Sequence, residues 1–125
     1  MKMRKFGFFI CCILLIAFTG CYYDKADLAY PKPPACDTTN VRLSVELQSI
    51  MEENCFSCHG GTAELGAYIQ LEDYATIKDY ADFGLLLSSL TQDGTTSAMP
   101  KGAAKLSDCD INKFDAWIKK GAPQN

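Results

Sequence analysis

At 125 residues the chain has room for one modest domain, which excludes a large multidomain enzyme. Its 12 basic residues face 15 acidic ones, and Lys2, Arg4 and Lys5 all precede an apolar stretch; without those three, 9 basic oppose 15 acidic, a net charge of about −6. That balance excludes a nucleic-acid binder, whose footprint is clustered Lys and Arg, and 7 cysteines is a high number for a reducing cytosol.

The first element is the basic segment Met1–Lys5 followed by the apolar run Phe6–Thr19. A bilayer-spanning helix needs ~20 apolar residues, whereas this run has the ~7–15 residue scale of a signal-peptide core, so residues 1–20 are predicted to be a cleaved signal, with an uncleaved anchor as the alternative. The junction Phe18-Thr19-Gly20-Cys21 resembles the bacterial lipoprotein box, with Phe18 where that box prefers Leu. The resemblance implies that Cys21 becomes a lipidated N-terminus. Several acyl chains at ~0.8 kcal/mol per buried methylene then give lasting attachment. The expected location is extracytoplasmic, membrane-anchored through lipid and facing the periplasm. Residues 22–35 show no hydrophobic period, and Pro31, Pro33 and Pro34 deny them a helix or central strand. Residues 21–35 are therefore the lipidated start and a Pro-containing linker.

Residues 36–125 form the expected folded domain, a size at which a single core benefits from a staple or a cofactor. Ser44 is placed to cap a first helix reaching Cys55, with Leu47, Ile50, Met51 and Asn54 on one stripe. Gly60, Gly61 and Gly66 open a loop. A second helix is expected over residues 71–82, carrying Leu71, Tyr74, Ile77 and Ala81 on its core face, and a short third one over 85–90. Residues 91–105 read as loop. The last helix starts at the Ser107-x-x-Asp110 box, carries Ile111, Phe114, Trp117 and Ile118 as its buried stripe, and stops at Gly121 and Pro123. No run sustains alternation, so the fold class is all-α.

The chemistry concentrates in Cys55-Phe56-Ser57-Cys58-His59, the C-x-x-C-H pattern of covalent haem attachment. Two intervening residues let one backbone turn offer both sulfurs to the two vinyl groups on a porphyrin edge, with the adjacent imidazole beneath the iron. A zinc site would need a second close pair of ligands, with only the distant Cys36 and Cys109 to supply it. A thioredoxin-like dithiol would sit at the start of a helix after a strand, whereas here a helical pattern leads into Cys55. His59 is the only histidine, so a second histidine ligand within one molecule is impossible. Met1 and Met3 leave with the signal. Of the remaining thioethers, Met51 lies on the helix stripe as packing, and Met99, ahead of Pro100 in a loop, is the candidate sixth ligand.

On these residues the segment 36–125 resembles a small class I cytochrome c domain, with Cys55, Cys58 and His59 matching its haem motif and Ala98-Met99-Pro100-Lys101-Gly102 its distal methionine loop. The start Cys36-Asp37-Thr38-Thr39-Asn40 and the Gly121-Ala122-Pro123 tail are similar to lipoprotein cytochromes associated with Bacteroidetes. The resemblance implies three to five helices around one covalent haem c, His59 and Met99 on the iron, and electron transfer with protein redox partners rather than enzymatic turnover. The alternatives are a haem sensor or enzyme with an open distal site, and a haem subunit of a larger periplasmic oxidoreductase. There are two departures: residues 43–54 lack the family's helix-contact glycine, and no proline between His59 and Pro100 supplies the usual carbonyl for the imidazole N–H.

With Cys11 and Cys12 in the signal, Cys21 lipidated and Cys55 and Cys58 on haem, Cys36 and Cys109 are left over. In an oxidising compartment they are expected to form a disulfide. Lys101 and Lys105 flank the methionine loop and are candidates to steer an acidic partner. The protein is expected to be a monomer.

Overall fold

In the computed structural model residues 35–125 are described; the expected signal peptide, the proposed lipidation site Cys21 and all of the expected linker except Ala35 lie outside the described residues. The first helical segment opens with a π-helical turn, Leu43–Leu47, in which the Leu47 N–H reaches back to the Arg42 carbonyl at 3.2 Å. Ser44 does not cap it. The free N–H groups of Leu43 and Ser44 donate instead to Asn125 Oδ1 (2.8 Å) and the Asn125 main-chain oxygen (2.9 Å). Glu46 Oε2 accepts the Arg42 N–H at 2.8 Å. A helix start needs acceptors for its free N–H groups, and here the far end of the chain brings them.

The turn runs into α1 (Gln48–Asn54), which buries Ile50 and Met51 while the turn buries Leu47. Met51 is thus a core residue, as its place on the stripe implies. Cys55 leaves helical geometry at φ −122°, and one further turn, α2, spans Phe56–His59. A short 3₁₀ turn follows at Glu64–Gly66. The second predicted helix begins later than Leu71: α3 covers Tyr74–Asp82, capped by Asp73, whose carboxylate accepts the Thr76 N–H at 3.0 Å. Leu71 is buried ahead of it, its N–H donated to the His59 carbonyl at 3.0 Å. Gly84, at φ 73°, admits α4 (Leu85–Thr91), and Gln92, at φ 58°, closes it.

The last helix, α5 (Asp108–Lys119), starts as read from its box: Ser107 Oγ accepts the Asp110 N–H at 3.1 Å. Its stripe buries Ile111, Phe114 and Trp117, with Ile118 only half-buried at the margin. Trp117 is fully buried and meets its polar requirement by donating Nε1–H to the Pro123 carbonyl at 2.9 Å. α5 packs against the Leu43–Leu47 turn and α4, and α4 against α3. Their shared core joins Leu47, Met51, Ile77, Leu90, Phe114 and Trp117. Among the described residues the fold is all-α, with five α-helices and no strand. None of these helices is long and apolar enough to cross a membrane. Cys36 and Cys109 are joined as a disulfide with Cα atoms 5.4 Å apart, across a separation of 73 residues.

Candidate functional site

Residues 55–59 fold as one tight turn, because the Cys58 and His59 N–H groups both donate to the Cys55 carbonyl, at 3.1 and 2.9 Å. Cys55 and Cys58 stand three residues apart on this turn, the spacing at which a regular helix puts two side chains on one face. Cys55 is half-buried and Cys58 exposed. Burial pushes the Cys55 thiol up to about 11, opposite to the depressed value that activates a redox dithiol. Cys36 and Cys109, needed to complete a zinc set, are bonded to each other. Among the described residues no group of three or more His, Cys, Asp or Glu side chains is arranged to hold a metal ion.

His59 follows at the end of α2, half-buried. Its Nδ1 lies 2.9 Å from the Ile69 carbonyl oxygen. A carbonyl only accepts, so the contact requires the proton on Nδ1; in the neutral ring Nε2 is then the nitrogen that carries the lone pair. Sequence reasoning found no proline to play this part, and the main chain of Ile69 plays it instead. The chain reaches Ile69 through a loop with three non-glycine residues in the left-handed region, Ala63 (φ 51°), Ala67 (φ 54°) and Tyr68 (φ 63°). Two further bonds fasten the loop to the motif: Leu71 N–H to the His59 carbonyl at 3.0 Å, and Gly61 N–H to Glu72 Oε2 at 2.8 Å.

Gly66 lies against the imidazole itself. A Cβ added there would sit 2.5 Å from His59 Nδ1 and 2.5 Å from the Cys58 carbonyl oxygen. Sequence reasoning marked Gly66 only as a loop residue; it is the residue that lets the loop close on His59. The signal was present as a glycine near the motif, but its partner was not.

Met99 is half-buried in the loop after α4. Its N–H donates to the Ser89 carbonyl at 3.1 Å and its carbonyl accepts from Gln92 Nε2 at 3.2 Å. The Met99–Pro100 peptide is cis. These bonds attach Met99 to α4; no hydrogen bond among the described residues links it to the Cys55–His59 turn. Lys101 and Lys105 are exposed. Of the five large apolar side chains left exposed among the described residues, Leu65 (82 %), Tyr68 (75 %), Phe83 (78 %) and Leu85 (40 %) fall between His59 and Met99 in sequence.

The donor set fits a c-type haem: two free thiols on one turn, and an imidazole with Nδ1 engaged and the lone pair on Nε2. Two clefts of about 310 and 420 Å³ occur elsewhere, the first beside Leu43, Gln48 and Tyr74, the second beside Asp37, Glu46 and Lys120. Neither is lined by Cys55, Cys58, His59 or Met99, so the chemistry of the donors and not concavity marks the site. Comparison with family models, curated proteins and solved structures gives no match to this chain.

Proposed function

We propose that the protein is an electron carrier, a monohaem c-type cytochrome tethered to the membrane through Cys21. The observation that carries the reading is the Cys55–His59 turn, with both thiols free and His59 held by the Ile69 carbonyl in the tautomer that presents Nε2. Haem c supplies an iron that cycles between ferric and ferrous states. Cys55 and Cys58 would hold the porphyrin as thioethers, which keeps the cofactor with the chain when the fold opens. His59 Nε2 would ligate one side of the iron and Met99 sulfur the other, leaving no position for a substrate. The Ile69 carbonyl would orient the imidazole plane, and the exposed apolar side chains Leu65, Tyr68, Phe83 and Leu85 are candidates for porphyrin contact. The tether concentrates the carrier near membrane-held redox partners.

Purified, matured protein should retain its pigment in acidified organic solvent and show in the ferric state the weak red charge-transfer band of iron bound to methionine sulfur. Ferrous protein should bind carbon monoxide slowly, and Met99→Ala should bind it readily and lose the band. Prompt binding by the unmodified protein selects the sensor or open-site enzyme instead, and pigment extracted by the solvent removes the cytochrome reading altogether.

A further inference from the structure

We infer that Gln92 is the positioning residue for Met99. This rests on the reading of Met99 as the distal ligand. Methionine has three rotatable side-chain bonds and a weak-field thioether, so its usefulness as a ligand depends on how firmly its main chain is placed. At Met99 both main-chain polar groups are taken by the last turn of α4. The N–H goes to Ser89 O, one of the carbonyls that a helix C-terminus leaves free. The C=O goes to the Gln92 side-chain amide. On the other side Pro100 fixes its own φ. The intervening residues are gathered by Ser88, whose hydroxyl donates to Asp93 Oδ1 at 2.7 Å and shares hydrogen bonds with the hydroxyls of Thr95 and Thr96. Of these restraints, Gln92 alone grips Met99 through a side chain.

The backbone of Gln92 makes the assignment testable. At φ 58° it occupies the left-handed position after a helix, where glycine is the favoured residue and a side chain costs stability. A residue kept there only for the helix end would be improved by Gln92→Gly. For a residue that also holds Met99, stability would likewise be kept or raised, but the ligand would loosen. Gln92→Glu adds a second arm, since a carboxylate of the same shape cannot donate to a carbonyl. Gln92→Lys restores a donor.

The experiment uses the whole matured chain. In Gln92→Gly and Gln92→Glu, carbon monoxide association with ferrous protein should rise about three- to tenfold, the factor carried by one ordinary hydrogen bond. Amide exchange at Met99 should accelerate by a similar factor in both. The urea midpoint of Gln92→Gly should stay level or rise, and Gln92→Lys should return both rates toward those of the unmodified chain. If Met99→Ala removes the charge-transfer band while Gln92→Gly and Gln92→Glu leave gas binding and Met99 exchange unchanged, the Gln92 assignment alone is overturned. If Met99→Ala leaves the band and the gas rate unchanged, the distal-ligand reading falls and takes this assignment with it.

Discussion

A hydrogen on Gly66 occupies space that a methyl group would have to share with the His59 imidazole. The hypothetical Cβ distance of 2.5 Å to both His59 Nδ1 and the Cys58 carbonyl oxygen is far inside van der Waals contact. Either the ring tilts or the 63–69 loop lifts, and both open the 2.9 Å contact between His59 Nδ1 and Ile69 O. Overpacking of this kind costs ~1–3 kcal/mol. Gly66→Ala is therefore expected to lower stability by that amount in denaturant unfolding and to speed exchange of the His59 Nδ1 proton in NMR spectra. Gly61→Ala is the control. Its Cβ would meet nothing within 4 Å, and the cost is that of a side chain at φ 56°, ~1–2 kcal/mol, with the imidazole untouched. A His59 Nδ1 proton equally protected in both variants would show that Gly66 does not support the ring.

The elements divide into those that carry their own instructions and those completed from a distance. α5 is of the first kind: Ser107, Asp110 and Gly121 are all local, and start and stop fall where they were read. The Cys55–His59 turn is local in the same sense, closed by the Cys58 and His59 N–H groups on the Cys55 carbonyl. The Leu43–Leu47 turn is of the second kind. Ser44 looked like its cap, but the acceptors are Asn125 and the Glu46 carboxylate, and nothing local announces the former. The partner of His59 was equally hidden, because it is a main-chain carbonyl and every residue has one. Glu46 gives this element a pH signature. Its carboxyl is held at about 2, below its ordinary 4.5, first by the Arg42 guanidinium and then by the Arg42 N–H. A folded value below the unfolded one means the contribution is fully present above about pH 4.5 and is lost as pH falls toward about 2. Glu46→Gln keeps an acceptor of the same shape but does not titrate. The loss of thermal midpoint between about pH 6 and about pH 3 should therefore be smaller in Glu46→Gln than in the unmodified chain. Equal acid losses in the two would mean that Glu46 is as free in the folded state as in the unfolded one.

At the scale of the domain the question is what holds a small helical core whose first turn is capped by its last residue. The Cys36–Cys109 bridge closes a separation of 73 residues, enclosing the Cys55–His59 turn, α3, α4 and the Met99 loop. By loop entropy a closure of that length stabilises by roughly 4 kcal/mol, against a usual total of about 5–15 kcal/mol. The bridge sits outside the site it encloses: Cys36 precedes the first turn, and Cys109 lies at the start of α5, away from His59, Ile69 and Gly66 in sequence. Its contribution should then be global and nearly silent at the imidazole. The double variant Cys36→Ser with Cys109→Ser is expected to lose on the order of 4 kcal/mol in urea unfolding while keeping the His59 Nδ1 proton signal of the unmodified chain under native conditions. A loss below ~1 kcal/mol would mean that the unfolded chain gains little freedom when the bridge is cut. A shifted His59 signal would mean that the bridge, and not the 60–71 loop alone, sets the position of the ring.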